Sequence, residues 1–233
     1  MLANVGYAHP VIKFGSKTVN QVQARKVHIT NTHISFNLKI YKEKFSVIVP
    51  HVHESVVFNS LASAAAAHLL GVPHAIIVQA IEKYVVVAGR FEKRALNSKK
   101  GILINDCYNA NPESMKAALL AFQKIETPAK KIAVLGDMLE LGLTSPFWHR
   151  QLGRFLRKVP SLKHVILVGN MVKWTKKTVP LGITVEHVAD WKEAVEHLNS
   201  HLHQEALILV KASNGMGLKN LVNQLAPEQV KEQ

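Results

Sequence analysis

The densest group of residues able to do chemistry is Asn105–Pro112, which reads N-D-C-Y-N-A-N-P and follows an apolar run. The Asp106 carboxylate is an acceptor suited to ribose hydroxyls, and the Asn109 amide is suited to orienting a second ligand. Asn111 and Pro112 have the residue types of a helix N-cap and a first helical position. The segment predicts a strand-to-helix turn that presents polar groups to a ligand. For Asp106 and Asn109, a role confined to the turn is the alternative.

The elements that must position these residues follow from the hydropathy pattern after Gly101. Five apolar runs of strand length occur at Ile102–Ile104, Ile132–Leu135, Val165–Val168, Ile183–Val188 and Leu207–Val210. Each precedes a helical stretch: Pro112–Ile125, Ser145–Val159, Met171–Thr178, Asp190–Leu202 and Gly217–Leu225. Asp190 and Glu193 have the spacing of a capping box. This alternation predicts an α/β fold with a mostly parallel sheet and helices on both faces, whose ligands bind at the carboxyl ends of the strands.

The first 88 residues have a different pattern. The segments Lys17–Thr30 and His33–Val49 are rich in β-branched residues, and Ile34–Ile40 alternates between apolar and polar residues. This pattern predicts half-buried strands joined by a turn at Asn31-Thr32. Helices are predicted over Ser55–Leu70 and Pro73–Val86, the second opening on proline. The polar, basic segment Val87–Lys100 is predicted to be an interdomain connection between this small β-then-α unit and the α/β part.

Composition limits the classes of protein that fit. The chain has 233 residues, 48% hydrophobic and 19% charged, which excludes a disordered chain, and its one cysteine fits a reducing compartment. With no apolar run long enough for a membrane helix and no evident signal peptide, a soluble cytoplasmic protein is expected. The net charge of +13 is spread over both parts without a basic stripe or interleaved aromatic residues, so no nucleic-acid partner is expected.

Four further segments, together with the first motif, resemble those of the Mur ligase family. Asp106–Met115 is similar to its D-S-Y-N-A-N-P-x-S-M motif, and Val134–Gly142 to V-L-G-D-M-x-E-L-G. Gly89-Arg90 precedes these motifs, a segment beginning at His149 follows them, and Lys211–Met216 resembles K-G-S-R-G-M. Five elements in the family's order over roughly 160 residues are unlikely to arise by chance.

The resemblance implies an ATP- and Mg²⁺-dependent ligase of peptidoglycan precursor synthesis. In the closest branch of that family, UDP-N-acetylmuramoyl-tripeptide is activated by ATP and joined to the amine of D-Ala-D-Ala. It also implies that residues 1–88 are the C-terminal part of the family's central ATP-binding domain, and residues 89–233 its Rossmann-like C-terminal domain.

By the same resemblance, eight residues contact ligands. The nucleotide contacts implied are Arg90, Asp106, Asn109 and Asn59; the substrate contacts implied are Asp137, Lys211, Ser213 and His149. A loop-capping role is the alternative for Asp137, a surface position for Lys211 and a structural role for His149. No catalytic residue and no metal ligand are predicted within the chain, and Cys107 is interpreted as a packing residue.

The sequence departs from the family pattern in three ways. Ser55-Val56 replaces a His-Asn pair, Ala212 and Asn214 replace glycine and arginine, and no P-loop of the form GxxxxGK[ST] occurs. The lysine-bearing segment expected after Asn4–His9, which resembles a family motif, is also absent. We therefore expect a C-terminal portion of a ligase, inactive by itself and completed by a missing N-terminal half. A non-catalytic module that binds nucleotides or polyanions is the alternative, and the absence of GxGxxG argues against an oxidoreductase.

Overall fold

The computed structural model describes residues 11–97, 101–202 and 205–228, which form two compact units divided between Val85 and Val86. The segment Asn4–His9 lies outside the described residues. No helix within the described ranges is long and apolar enough to cross a membrane. The two units are described separately below.

The first unit is a four-stranded sheet packed against two helices. Its elements are β1 (Phe14–Gly15), β2 (Val22–Ile29), β3 (Ile34–Ile40), β4 (Glu43–Val49), α1 (Ser55–Leu69) and α2 (His74–Glu82). The strands follow chain order, with β1 parallel to β2 and the other pairs antiparallel. The long run predicted over His33–Val49 is two strands, because the chain turns at Tyr41, whose φ is 52°. The alternating residues of β3 that were predicted to be half-buried do point their apolar side chains into the core.

The second unit is a six-stranded sheet flanked by helices. Its strands are β5 (Glu92–Ala95), β6 (Gly101–Asn105), β7 (Lys130–Gly136), β8 (His164–Val168), β9 (Thr184–Val188) and β10 (Ala206–Lys211). The helices are α3 (Pro112–Lys124), α4 (Ser145–Phe155), α5 (Lys173–Lys176), α6 (Trp191–His201) and α7 (Leu218–Leu225). The predicted α/β class and the predominantly parallel sheet are confirmed.

Sheet order explains the composition of the strands. The order is β5-β6-β10-β7-β8-β9, and every neighbouring pair except β5-β6 is parallel. The inner strands β7, β8 and β10 are buried along nearly their whole length, because helices cover both faces of the sheet. Burial on both faces gives these three strands near-continuous apolar sequences, which is why the sequence analysis predicted them as strands.

The segment Val87–Lys100 contains an edge strand, β5, that the sequence analysis did not predict. This edge strand reads E-K-R-A, and its buried side chain is Arg94 rather than an apolar residue. The Arg94 guanidinium is held by the Glu92 carboxylate, with Nε 2.8 Å from Oε1, and by Glu228, with a nitrogen 3.0 Å from its Oε1. Because ion pairs replace apolar contacts here, the hydropathy pattern contains no strand signal.

The capping box predicted at Asp190 is present only in part. The Asp190 side chain accepts hydrogen bonds from the Lys192 and Glu193 amides, as an N-cap should. The Glu193 carboxylate, however, accepts from the Ala189 amide rather than from Asp190. The cap is still sufficient to begin α6 where the sequence predicts.

Candidate functional site

The candidate site lies at the carboxyl ends of β6, β7 and β10, which are neighbours in the sheet. Because these strands are parallel, their ends reach the same edge, and three segments far apart in sequence meet there. Six of the eight residues proposed as ligand contacts lie in these segments or next to them. They are Asp106, Asn109, Asp137, His149, Lys211 and Ser213.

Lys211 ends β10 and is only 1% exposed. Its Nζ lies 2.8 Å from Asp106 Oδ2, 3.1 Å from the Asn109 carbonyl oxygen and 3.4 Å from the Asp106 carbonyl oxygen. An ammonium group has three hydrogens, so these three acceptors satisfy it. The structure places Lys211 as the internal support of the turn after β6 and not as a surface lysine.

The second carboxylate oxygen of Asp106 is also engaged. Oδ1 accepts a hydrogen bond of 3.1 Å from the Phe91 amide. Phe91 has a φ of 53°, in the left-handed region that phenylalanine rarely adopts. Burial raises the pKa of the Asp106 carboxyl, and the Lys211 ammonium opposes that rise. Asp106 therefore connects β10, its own turn and the segment before β5.

The exposed part of the site is formed by Arg90 and Tyr108. The Arg90 guanidinium carbon lies 4.2 Å above the centre of the Tyr108 ring, in a cation–π arrangement. Gly89 makes this approach possible, because a Cβ on it would lie 3.2 Å from the Tyr108 Cβ and its φ is 73°. The paired guanidinium and ring form a flat, cationic surface that a nucleotide base or a phosphate is able to contact.

Asn109 is exposed beside this pair. Its side-chain oxygen accepts a 2.8 Å hydrogen bond from the Ala110 amide, which stabilises the turn. Within the described residues the NH₂ group of Asn109 donates no hydrogen bond, so it is available to a ligand. Asn109 thus serves the turn through one atom and faces solvent with the other.

Ser213 joins the three segments. Its hydroxyl accepts a hydrogen bond of 2.9 Å from the Leu139 amide and donates one of 3.3 Å to the Ala110 carbonyl. The Ser213 amide donates to the Asp137 carbonyl oxygen at 3.2 Å. Ser213 is 4% exposed, and its hydroxyl connects the loops that follow β6 and β7.

Asp137 organises the loop after β8. Oδ2 accepts hydrogen bonds from the Asn170 and Met171 amides at 2.9 and 3.0 Å, and Oδ1 accepts one from the Val172 amide at 2.8 Å. Gly169 is required next to it, because a Cβ there would lie 2.7 Å from Oδ2. The carboxylate is 4% exposed and binds three backbone amides, which is the loop-capping arrangement.

His149 is completely buried in α4. Nδ1 lies 2.8 Å from the Ser145 carbonyl oxygen, so it donates, and Nε2 accepts a 3.1 Å hydrogen bond from the Met138 amide. This pairing requires a neutral ring, and burial lowers the pKa of His149 accordingly. His149 therefore positions the loop after β7 from behind.

Asn59 lies in the first unit, exposed on α1. Arg90, by contrast, belongs to the second unit together with the other proposed contacts. Cys107 is buried and its thiol donates to Asn105 Oδ1 at 2.8 Å, while burial raises its pKa to about 11. Such a thiol is not a nucleophile at neutral pH, in agreement with the predicted packing role.

The sequence reasoning missed Glu92, which shapes the Arg90 turn. Its Oε2 accepts hydrogen bonds from the Gly89 amide at 3.1 Å and from the Asn105 side chain at 2.9 Å. The hydrogen bonds from Arg94, Gly89 and Asn105 outweigh the effect of burial, and the pKa of Glu92 is lowered. The sequence did contain a signal for this role, because Glu92 and Arg94 have opposite charges and alternate along the chain just after Gly89-Arg90.

Comparison with known sequences identifies the family to which this chain is similar. The sequence profile described as "Mur ligase, glutamate ligase domain" matches residues 89–214, more than half of the chain. The UDP-N-acetylmuramoyl-tripeptide–D-alanyl-D-alanine ligase of Bacillus subtilis strain 168 is 29% identical over 215 residues, covering 91% of this chain and 46% of that protein. The ligase of the same name from Escherichia coli K12 is 28% identical over 204 residues, covering 87% and 44%. The chain spans about half the length of the curated relatives it matches.

Comparison with solved structures leads to the same family. The crystal structure of MurF from Acinetobacter baumannii superimposes with a TM-score of 0.79 at 28% identity, covering 92% of this chain and 46% of that one. MurF from Thermotoga maritima, solved with ADP, shares the fold with a TM-score of 0.72 at 21% identity, covering 90% and 47%. Motifs, fold and the profile match agree, and the chain belongs to the Mur ligase family.

Proposed function

We propose that this chain supplies the C-terminal portion of a ligase that adds D-Ala-D-Ala to UDP-N-acetylmuramoyl-tripeptide in the cytoplasm. Residues 1–88 then correspond to the last part of the central ATP-binding domain, and residues 89–233 to the C-terminal domain that receives the amine. The whole relatives are about twice as long, so the activity requires groups outside these residues.

One observation supports this proposal most strongly. The motif segments 106–112, 134–142 and 211–216 are connected by Lys211 and Ser213 into a single buried frame. The frame keeps these three family motifs together at one edge of the sheet, as a ligand site built from them requires. The frame holds Arg90, Tyr108 and Asn109 outward, where ligands approach.

The family's cofactors fit this site only in part. ATP supplies the phosphoryl group that activates the acid, and the exposed Arg90, Tyr108 and Asn109 are suited to contacting a nucleotide. Mg²⁺ does not fit the two buried carboxylates of the site, because Asp106 and Asp137 already accept ion-pair or backbone hydrogen bonds on both oxygens. In this proposal the Mg²⁺ ligands and the phosphate loop are supplied from outside the 233 residues.

The test measures phosphate release with ATP, Mg²⁺, UDP-N-acetylmuramoyl-tripeptide and D-Ala-D-Ala. This chain alone should release none. Adding the N-terminal half of the Bacillus subtilis relative should produce release that depends on all three substrates. Phosphate release by this chain alone would contradict the proposal that the phosphate loop and the Mg²⁺ ligands lie outside it. A lack of release by the combined halves would count against the ligase role.

A matched pair of variants separates ligand contact from folding. Arg90→Ala should reduce release by the combined halves, because its exposed guanidinium, stacked on the Tyr108 ring, is the proposed nucleotide contact. Lys163→Ala removes an exposed charge at the opposite end of the sheet and should leave release unchanged. Equal effects of the two substitutions would contradict a nucleotide contact at Arg90.

A polyanion-binding module is the second candidate function, favoured by a basic cavity. The cavity, of about 340 Å³, lies between α3 and α4 and is lined by four cationic and three aromatic side chains. They are Lys116, Arg154, Arg157, Lys158, Phe147, Trp148 and Phe155. Binding of a single-stranded oligonucleotide that falls steeply with salt would support this function, whereas a salt-insensitive response to nucleotide would support the ligase.

A further inference from the structure

Three histidines and one glutamate converge at the end of the sheet opposite the ligase motifs. His164 is the first residue of β8, and Glu186 lies in β9. His197 and His201 lie in α6 at i and i+4, which places them on one helix face. Since β8 spans four residue steps beyond His164, this cluster is about 13 Å from the carboxyl edge.

The register of the sheet brings His164 and Glu186 to the same face. His164 pairs with Thr184, and Glu186 pairs with Ile166, so the two side chains are diagonal neighbours. Helix α6 packs on this face and runs back toward the start of the strands. His201, the last residue of α6, therefore contacts His164 and Glu186 from the helix side of the sheet.

The ligand atoms are close enough for one ion. His164 Nε2 and His201 Nε2 lie 2.6 and 2.7 Å from the same oxygen, Glu186 Oε1. Donor atoms of these three residues all lie within 4.8 Å of one another. His197 Nδ1 contacts the other oxygen, Glu186 Oε2.

His164 supplies an independent sign that the cluster is incomplete. The residue is only 3% exposed, and its Nε2 has no hydrogen bond of acceptable geometry despite the nearby carboxylate. A buried imidazole nitrogen without such a bond is unfavourable, and native proteins rarely leave one. A metal ion placed among these atoms would use that lone pair.

We propose that His164, Glu186 and His201 form a binding site for a divalent transition metal, zinc by the chemistry of the ligands, and that the nearby His197 side chain rotates to become a fourth ligand. Imidazole nitrogen and carboxylate oxygen are common zinc ligands, and four of them complete a tetrahedral, structural site. Calcium and magnesium prefer all-oxygen sets and fit poorly. The chain offers access, since His197 is 45% exposed and His201 25%.

Such a site would act on the fold and not on ligation. It would fasten the edge strand β9 and the C-terminal end of α6 to the buried strand β8. The proposal is therefore independent of the proposed ligase function.

The experiment titrates the tag-free, metal-free protein with Zn²⁺ against a chromophoric chelator, and with Co²⁺ by visible absorption. We expect one Zn²⁺ per chain, a tetrahedral Co²⁺ spectrum and a raised Tm, because the metal binds the folded state. His201→Gln and Glu186→Gln should each weaken Zn²⁺ binding by at least about tenfold. Exposed His28→Gln, in the first unit, should change nothing.

Other results would overturn the proposal. Absence of saturable binding would do so, as would binding that is equally strong in the His201→Gln and Glu186→Gln proteins. Weak binding at several sites, reduced as much by His28→Gln as by His201→Gln, would show only adventitious surface binding. Because His201 is partly exposed, its variant should fold, and circular dichroism of each metal-free variant verifies this.

Discussion

The two ends of the six-stranded sheet solve the problem of buried polar groups in different ways. At the carboxyl end, Asp106, Lys211, Asp137 and Ser213 are all buried, and each has hydrogen-bond partners within the protein. At the amino end, three imidazoles share one carboxylate, and His164 Nε2 lies 2.6 Å from Glu186 Oε1 without the geometry of a hydrogen bond. The first arrangement is satisfied within the protein, whereas we propose that a metal ion completes the second.

This difference changes how the motif residues are interpreted. Residues that resemble family ligand contacts at the carboxyl end are largely occupied in holding the loops together. The groups left for a ligand are the exposed ones, Arg90, Tyr108 and the Asn109 amide. A residue of a family motif is thus able to contribute in two ways: it can hold the loops of the site in place, or it can contact the substrate.

The largest effect is expected from Lys211→Met. Removing the ammonium leaves the Asp106 carboxylate buried and unpaired, which should lower the free energy of unfolding by about 3–5 kcal/mol. Urea denaturation measures it, with exposed Lys163→Met as the matched control. Adding Asp106→Asn to Lys211→Met should recover part of the loss. If Lys211→Met behaves like the control, the carboxyl-end frame does not depend on this ion pair.

A smaller loss is expected from Asp137→Asn. The amide nitrogen of asparagine cannot accept the hydrogen bonds that one carboxylate oxygen receives, so about 1–3 kcal/mol of stability should be lost. Asp190→Asn is the control, because asparagine is an equally good N-cap at that exposed position. Thermal unfolding of both variants makes the comparison, and equal Tm values would show that the loop does not need the charge.

Protonation of His149 should make the free energy of unfolding depend on pH. Its pKa is lowered in the folded state by burial, so the unfolded chain binds a proton first as the pH falls. The contribution of His149 to stability is therefore complete above the ordinary histidine pKa of about 6.5 and declines below it, by at most about 1.4 kcal/mol per pH unit.

His149→Gln tests this assignment, because the amide keeps a donor and an acceptor but does not titrate. Urea midpoints measured at about pH 7.5 and about pH 5.5 should differ less in the variant than in the parent chain. Parallel pH profiles would show that His149 does not contribute to the loss of stability.

The smallest effect is expected at the amino end of the sheet. His197→Ala in metal-free protein should change the free energy of unfolding by no more than about 0.5 kcal/mol, because the side chain is 45% exposed. With saturating Zn²⁺ the same substitution should reduce the metal-induced rise in Tm. A large effect without metal would show that this end, like the other, is complete by itself.

Much of the fold was predictable because burial on both faces leaves a clear mark on the sequence. The apolar runs of β7, β8 and β10 predicted strands, each followed by a helix, and Asn111 with Pro112 marked the start of α3. β5 was missed because Arg94 is buried through ion pairs, which no hydropathy pattern records.

The sequence by itself determined the α/β class, the parallel strands and, through five ordered motifs, membership of the Mur ligase family. Tertiary structure alone decided where the polar side chains point: that Lys211 turns inward to Asp106, and that Glu186 meets His164 and His201. The physical reason is the distance along the chain over which each kind of information acts. Hydrophobic periodicity is local to an element, whereas an ion pair or a metal site depends on register and on helix packing between segments far apart in the chain.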